Sequence, residues 1–227
     1  MGIEWQKERF YANIDRFLSG RPALDVLLWG ERGSGKSSLA ATVPHRFPTD
    51  GYRMVSVRER DIGDLSRLLD TLDDDGSRWI ILFDDLSFNE KSADYHELKV
   101  FLEGGLEARP KNTLAVATSN RRHLVAEEDG KNDRRLHPGD ETAEAISLAD
   151  RFGLSLGFYS FDQEKYLEAV KVHLGAFGDE APLDEWRSDA IRWAMERGIR
   201  SGRSAAQFAR FYAKPSGRVR RRAVRDD

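Results

Sequence analysis

A glycine-rich octapeptide between a strand-like run and a helical pattern constrains this chain more than any other feature. The octapeptide, GERGSGKS at Gly30–Ser37, follows the apolar run Asp25–Trp29 and precedes a helical pattern that begins near Lys36 and includes Val43. Glycines permit φ angles and close approaches that a side chain would obstruct, so the loop can turn its N–H groups inward around a phosphate. The spacing matches GxxxxGK(S/T) in the strand, loop and helix context that this motif requires. The alternative is a glycine-rich turn that only resembles a phosphate loop.

Each position of the octapeptide has an expected role in holding a nucleotide. Lys36 brings a point charge toward the β and γ phosphates, where it also serves catalysis, and the Ser37 hydroxyl is expected to be a magnesium ligand. The residues predicted to contact the nucleotide are Gly30, Glu31, Arg32, Gly33, Ser34, Gly35, Lys36, Ser37 and Ser38. The sequence therefore predicts ATP and Mg²⁺ as the bound groups.

The second half of such a site is a buried strand that ends in carboxylates. The segment WIILFDD at Trp79–Asp85 supplies this pattern, since its apolar run Trp79–Phe83 is too continuous to be half-exposed. We expect Asp84 to hold the magnesium through water, and Asp85 to orient or deprotonate the attacking water. An acid pair after a strand is alternatively an ordinary turn or helix cap.

Two further polar residues lie near the ends of predicted strands. Asn120 follows the buried strand Thr113–Thr118 and is expected to hydrogen-bond the γ-phosphate or the water. Arg151 precedes the last strand, Leu154–Tyr159, where an arginine can reach a neighbouring subunit's nucleotide and raise the rate by about 10³ to 10⁵. The alternatives are an asparagine that starts a loop and an arginine in a surface ion pair.

Alternating apolar runs and helical patterns predict an α/β fold with a parallel sheet sandwiched by helices. The other elements of this core are predicted at Ile3–Leu18, Tyr52–Val57, Leu65–Leu72 and Tyr95–Leu106. After the last strand only helical patterns follow, at Gln163–Leu174, Leu183–Arg197 and Ser204–Ala213. We therefore divide the chain into a nucleotide-binding core at 1–160, a small helical lid domain at 161–215 and a basic tail at 216–227. The polar stretch 121–145 is predicted to be a long excursion from the core.

Composition excludes several other classes of protein. The chain has 227 residues, no cysteine and a formal net charge of -3, which rules out a disulfide framework and a wholly basic surface. No apolar stretch approaches the roughly 20 residues of a membrane helix, and the amino terminus lacks a signal pattern, so we expect a cytoplasmic protein with no membrane partner. The local run RVRRRAVR at Arg218–Arg225 is either a solvated tail or a phosphate contact.

At these residues the chain resembles the AAA+ ATPase superfamily, and more narrowly the bacterial domain-of-unknown-function 815 family. The segments that carry the resemblance are Arg9–Leu39, Ile81–Phe88, Leu98–Asn112, Ala117–Leu124, His137–Glu141 and Ser147–Gln163. The resemblance implies that Gly30–Ser37 is the Walker A loop and that Asp84 and Asp85 are the Walker B pair. It also implies that Asn120 is the first sensor and Arg151 the arginine finger.

The same resemblance assigns Arg203 to the second sensor, with Arg200 as the nearby alternative. Most AAA+ proteins end Walker B with Asp-Glu, whereas this chain has the shorter Asp85, so we expect slow turnover. Family members also have residues before the segment that matches Gly2–Gln6, which suggests a short start here.

The implied function is an oligomeric AAA+ ATPase that hydrolyses ATP to ADP and phosphate and remodels a protein or nucleic-acid partner, with Arg151 acting in trans. One alternative is a nucleotide-gated binding module or switch with negligible turnover. Another is a small-molecule P-loop kinase, which the helical carboxyl-terminal region fits less well.

Overall fold

The computed structural model describes residues 2–72, 76–88, 93–103, 109–122, 124 and 148–213. Contacts divide these residues into two compact units, one of residues 3–159 and one of residues 160–213 together with Gly2. The basic tail, and the polar excursion apart from residues 121, 122 and 124, lie outside the described residues. Within the described ranges, no helix is long and apolar enough to cross a membrane.

Strands and helices alternate along the larger unit. Its strands are β1 (Val26–Gly30), β2 (Tyr52–Val57), β3 (Arg78–Leu86), β4 (Thr113–Ser119) and β5 (Leu154–Phe158). They form a five-stranded parallel sheet in the order β2-β3-β4-β1-β5. The helices are α1 (Glu4–Leu18), α2 (Lys36–Ala41), α3 (Val43–Arg46), α4 (Leu65–Leu72) and α5 (Ala93–Glu103), with a 3-10 helix at Glu59–Asp64. The predicted α/β fold with a parallel sheet is confirmed.

Helices cover both faces of this sheet. Leu27 of β1 packs in a core with residues of α4 and α5, such as Leu65 and Phe101. Its neighbour Leu28 packs in a second core with residues of α1 and α2, such as Phe10 and Leu39. Because successive side chains of β1 enter two different cores, the strand reads in the sequence as a continuous apolar run rather than an alternating one.

A largely buried ion pair, with side chains 14% and 15% exposed, joins the amino ends of β1 and β4. The Arg109 guanidinium donates to both carboxylate oxygens of Asp25, at 2.6 and 2.8 Å, and its Nε donates to Thr113 Oγ1 at 2.8 Å. The Ala115 backbone N–H donates to Asp25 Oδ1 at 2.8 Å. The strand predicted from Asp25 begins one residue later in the structure, at Val26.

Other predicted boundaries also differ from the structure. The helix expected from Lys36 through Val43 is broken, because Pro44 lies in the first turn of α3 and has no N–H to continue the α2 ladder. The helix expected at Tyr95–Leu106 begins at Ala93 and is described to Glu103. Strand β3 continues beyond the apolar run through both acids to Leu86.

The smaller unit contains helices only in its described part. They are α6 (Gln163–Ala176), α7 (Leu183–Glu196) and α8 (Gly202–Tyr212), which confirms the predicted change of pattern. Their shared core includes Tyr166, Trp186 and Phe208, each at most 1% exposed. Two helices have side-chain caps, since Asp162 accepts from the Lys165 N–H and Ser201 accepts from the Ser204 N–H.

Candidate nucleotide-binding site

The glycine-rich loop lies at the carboxyl end of β1 and depends on glycine at Gly30. Gly30 has φ +125°, and a Cβ atom built there would lie 1.9 Å from the Phe158 carbonyl oxygen of β5. The next residue, Glu31, donates its backbone N–H to the same oxygen at 2.9 Å. Gly35, at φ +111°, also lies in the left-handed region and leads directly into α2. The loop can therefore leave the sheet only because a side chain is absent at the point of closest approach.

Lys36 is held inside this loop by oxygen atoms on two sides. Its side chain is 6% exposed, and Nζ donates to the carbonyl oxygens of Gly30 and Glu31 at 2.7 and 2.8 Å. It also donates to Asn120 Oδ1 at 3.1 Å, across 84 positions of the sequence. The ammonium group is thus fixed at the carboxyl end of the sheet, close to the loop backbone that is expected to surround a phosphate.

The two acids lie in a bulge of β3. Phe83 pairs with Ala117 of β4 and Leu86 pairs with Ser119, so Asp84 and Asp85 together stand opposite a single residue. Asp85 has φ +59°, in the left-handed region. Successive residues of a regular strand point to opposite faces, and a bulge changes this alternation. The two acids are exposed here, whereas the other residues of the strand are buried or half-buried.

Asn120 connects the loop with the second acid. Its Oδ1 accepts from Lys36 Nζ, and its Nδ2 donates to Asp85 Oδ1. An amide can make both bonds at once because it carries an acceptor and donors on one planar group. Lys36, Asn120 and Asp85, predicted from three separate segments, are therefore brought together in one hydrogen-bonded line.

The remaining predicted loop residues range from exposed to buried, and Gly33 is half-buried. Glu31, Arg32, Ser37 and Ser38 are exposed, whereas Ser34 is 3% exposed and donates its hydroxyl to the Glu31 carbonyl oxygen at 2.7 Å. Ser37 follows the buried lysine in the first turn of α2.

The donor set fits ATP with Mg²⁺. Magnesium is usually bound by one or two protein oxygens together with phosphates and waters, and not by a complete protein cage. The protein oxygens available at this site are the Ser37 hydroxyl and the carboxylates of Asp84 and Asp85.

Arg151 lies outside this hydrogen-bonded line, in an ion pair with Glu103 at the end of α5. Its Nε donates to Glu103 Oε1 at 2.8 Å, and its Nη2 also contacts that oxygen. The Arg151 side chain is 23% exposed, so the guanidinium remains partly accessible from the surface. Hydrogen bonding to Arg151 is the main cause that lowers the pKa of the Glu103 carboxyl.

Arg203 lies in the smaller unit, in the first turn of α8. The alternative residue, Arg200, lies just before this helix, and its carbonyl oxygen accepts from the Phe161 N–H at 3.0 Å. The assignment of a second sensor to either arginine stays a prediction.

Comparison with models of protein families identifies one family that matches almost the whole chain. Residues 1–216 match the model of a family described as protein of unknown function, DUF815. The chain belongs to this family. Among curated proteins, no sequence matches this DUF815 chain.

Solved structures of RuvB and DnaA share the fold of this DUF815 protein. A RuvB mutant of Thermotoga maritima matches with a TM-score of 0.61 and 16% identity, covering 90% of this chain and 59% of the other. The replication initiator DnaA, bound to AMPPCP and single-stranded DNA, matches with a TM-score of 0.56 and 16% identity, covering 88% and 59%. A DNA replication initiation factor matches at 0.53 and 15%, covering 90% and 60%. The DUF815 chain thus spans about three-fifths of the length of these proteins and has their AAA+ fold.

Sequence reasoning missed the hydroxyl groups on β4 that hold this site together. Thr118 contacts both acids of the bulge, and Ser119 donates its hydroxyl to the Leu86 carbonyl oxygen at 2.8 Å. Both residues lie in the ATSN segment just before Asn120, where two adjacent hydroxyl side chains end a buried strand. That placement is the signal that could have identified them.

Proposed function

We propose that this DUF815 protein is an ATP-binding AAA+ ATPase that hydrolyses ATP to ADP and phosphate. The observation that carries the proposal is the hydrogen-bonded line from Lys36 through Asn120 to Asp85. Hydrolysis of a phosphoanhydride uses a cation that binds phosphate, together with polar groups that orient and deprotonate the attacking water. Lys36 is such a cation, and the Asn120 amide and the Asp85 carboxylate are such polar groups.

Each residue of the line has a role that its chemistry supports. Lys36 neutralises charge on the β and γ phosphates, and the loop Gly30–Ser38 binds them through backbone N–H groups. Asn120 hydrogen-bonds the γ-phosphate or the attacking water. Asp85 orients that water and accepts its proton, with Asn120 holding the carboxylate in place.

Ser37 and Asp84 are the residues that would hold magnesium, Asp84 through a water molecule. Magnesium, when bound, neutralises charge on the phosphate oxygens. Asp85 is one methylene shorter than the glutamate of most AAA+ proteins, so the proposal includes slow turnover.

The proposal includes assembly into an oligomer in which Arg151 acts on a neighbour's nucleotide and Arg203 senses it from the lid. The AAA+ fold supports this, and so does the partial exposure of the Arg151 guanidinium. The proposed client is a protein or a nucleic acid, since a DnaA of this fold is bound to single-stranded DNA and a RuvB is described as a branch migration motor. A cytoplasmic location rests on the sequence alone.

The test is ATP hydrolysis per subunit as a function of protein concentration. Wild type is compared with Lys36→Ala, which removes the phosphate cation, and with Arg151→Ala, which removes the proposed finger. We expect the wild-type specific rate to rise with concentration, Arg151→Ala to lose about 10³-fold or more at assembly, and nucleotide binding by that variant to persist.

Arg58→Ala is the control for Arg151→Ala, because Arg58 also forms an ion pair with an acid, Asp61 at 2.8 Å, although its side chain is more exposed. It is expected to keep the wild-type rate. Turnover of the wild type that does not exceed that of Lys36→Ala would contradict hydrolysis. A concentration-independent rate that Arg151→Ala leaves unchanged would contradict the in-trans finger.

A nucleotide-gated switch with negligible turnover is the second candidate. The short Asp85 side chain favours it, because its carboxylate reaches less far toward a γ-phosphate than the glutamate of most AAA+ proteins. Tight ATP binding by wild type, with a partner that binds only the ATP form and with background turnover, would support the switch.

A further inference from the structure

The bulge in β3 raises the question of what stabilises it. Asp84 and Asp85 stand opposite one residue of β4, Thr118, so the bulge offers one more backbone N–H than the opposite strand can accept in a regular ladder. A backbone N–H that is partly shielded from water and lacks an acceptor is unfavourable, and the left-handed φ of Asp85 is unfavourable for a residue with a side chain. This conformation therefore needs a specific local partner.

Thr118 supplies that partner with a single hydroxyl group. Its Oγ1 accepts from the Asp85 backbone N–H at 2.9 Å and donates to Asp84 Oδ1 at 2.7 Å. The direction of both bonds is fixed, because a backbone N–H only donates and an ionised carboxylate only accepts. Thr118 is 1% exposed, so solvent has little access to replace its hydroxyl.

We infer that Thr118 is the positioning residue for the magnesium-site carboxylates: its hydroxyl fixes the Asp84 side chain and the Asp85 backbone relative to each other. The inference rests on the proposed function, in which Asp84 supports magnesium and Asp85 orients the water. Groups that hydrogen-bond a carboxylate near a metal set its orientation, and their removal typically costs about 10- to 100-fold in metal affinity or activity.

The experiment measures the magnesium dependence of nucleotide binding. A fluorescent ATP analogue is titrated into wild type, Thr118→Val and Thr118→Ser, with excess EDTA and over a series of Mg²⁺ concentrations. Val removes the hydroxyl at nearly constant volume, whereas Ser keeps it. We expect Thr118→Val to raise the Mg²⁺ concentration at which nucleotide affinity shows half of its increase by about 10- to 100-fold. The affinity in EDTA is expected to stay unchanged, and Thr118→Ser is expected to keep the wild-type Mg²⁺ concentration.

Thr113→Val is the matched control on the same strand. Thr113 is 7% exposed, and its hydroxyl also makes two bonds, donating to the Pro110 carbonyl oxygen at 2.7 Å and accepting from Arg109 at 2.8 Å. It lies at the other end of β4, so the loss of its hydroxyl is expected to lower thermal stability without changing the Mg²⁺ dependence.

The outcomes separate the inference from the proposed function. If ATP binding by the wild type did not depend on Mg²⁺, the proposed magnesium site would be wrong, and the inference would fail with it. A Mg²⁺-dependent wild type with an unchanged Thr118→Val would overturn the inference alone.

A measurement on wild type keeps the inference testable if Thr118→Val does not fold. The Asp85 amide is expected to resist hydrogen exchange as strongly as ladder amides of β3, and rapid exchange at this amide would overturn the role of Thr118.

Discussion

Removal of the Asp25 carboxylate should strongly destabilise the larger unit. Asp25→Ala leaves the Arg109 guanidinium, which is 14% exposed, without its bidentate partner, and it removes the acceptor of the Ala115 N–H. Breaking a buried ion pair by deleting one partner costs about 3–5 kcal/mol, because the other charge stays buried without compensation. At about 2–4 °C per kcal/mol for a unit of this size, the melting temperature should fall by about 6–20 °C.

The assays are thermal unfolding and urea unfolding, both monitored by circular dichroism, with Asp15→Ala as the matched control. Asp15 pairs with Arg21 at 2.8 Å, but both side chains are more than half exposed, at 57% and 54%. An exposed pair of this kind contributes about 0.2–1 kcal/mol, so the control should move the urea midpoint only slightly. A midpoint for Asp25→Ala that matches the control would refute the argument from burial.

Three further predictions concern backbone space and titration. Gly30→Ala places a Cβ 1.9 Å from the Phe158 carbonyl oxygen, at a backbone φ of +125°. Backbone strain alone costs about 1–3 kcal/mol, so the substitution should lower the free energy of unfolding by more than this amount, as measured from the urea midpoint. The pKa of Glu103, measured by NMR titration, should lie below its ordinary 4.5 and return toward that value in Arg151→Ala, because the hydrogen bond from Arg151 lowers it. The stabilisation from this ion pair is therefore present above pH 4.5 and is lost as the pH falls through the lowered pKa. Burial lowers the pKa of His173 below 6.5, so the smaller unit should lose stability as pH falls below 6.5, and His173→Gln should remove this dependence in pH-resolved thermal melts.

The loop and its strand could be predicted because their signal is local. Glycine spacing, Lys36 and the apolar run before them lie within a dozen residues, and the parallel sheet follows from the alternation of apolar runs and helical patterns. The fold class was therefore accessible without any information about long-range contacts.

The bulge and the buried ion pair could not be predicted because their partners are remote in the sequence. Thr118 lies 34 positions from Asp84, and Arg109 lies 84 positions from Asp25. No periodic pattern connects either pair, since each contact arises only when β4 takes its place between two other strands. The sequence suggested an acid pair after a strand, whereas the structure has an acid pair within one.

The order of the strands has a consequence for synthesis of the protein. β1 precedes both of its neighbours in the chain, since it lies between β4 and β5, with Val26 paired to Val116 on one side and to Leu154 on the other. An emerging chain therefore holds an apolar strand with two open edges until β4 has been translated, and such edges favour pairing with other chains. Production of this protein should consequently depend on chaperones that shield β1, and fragments that stop before β5 should aggregate.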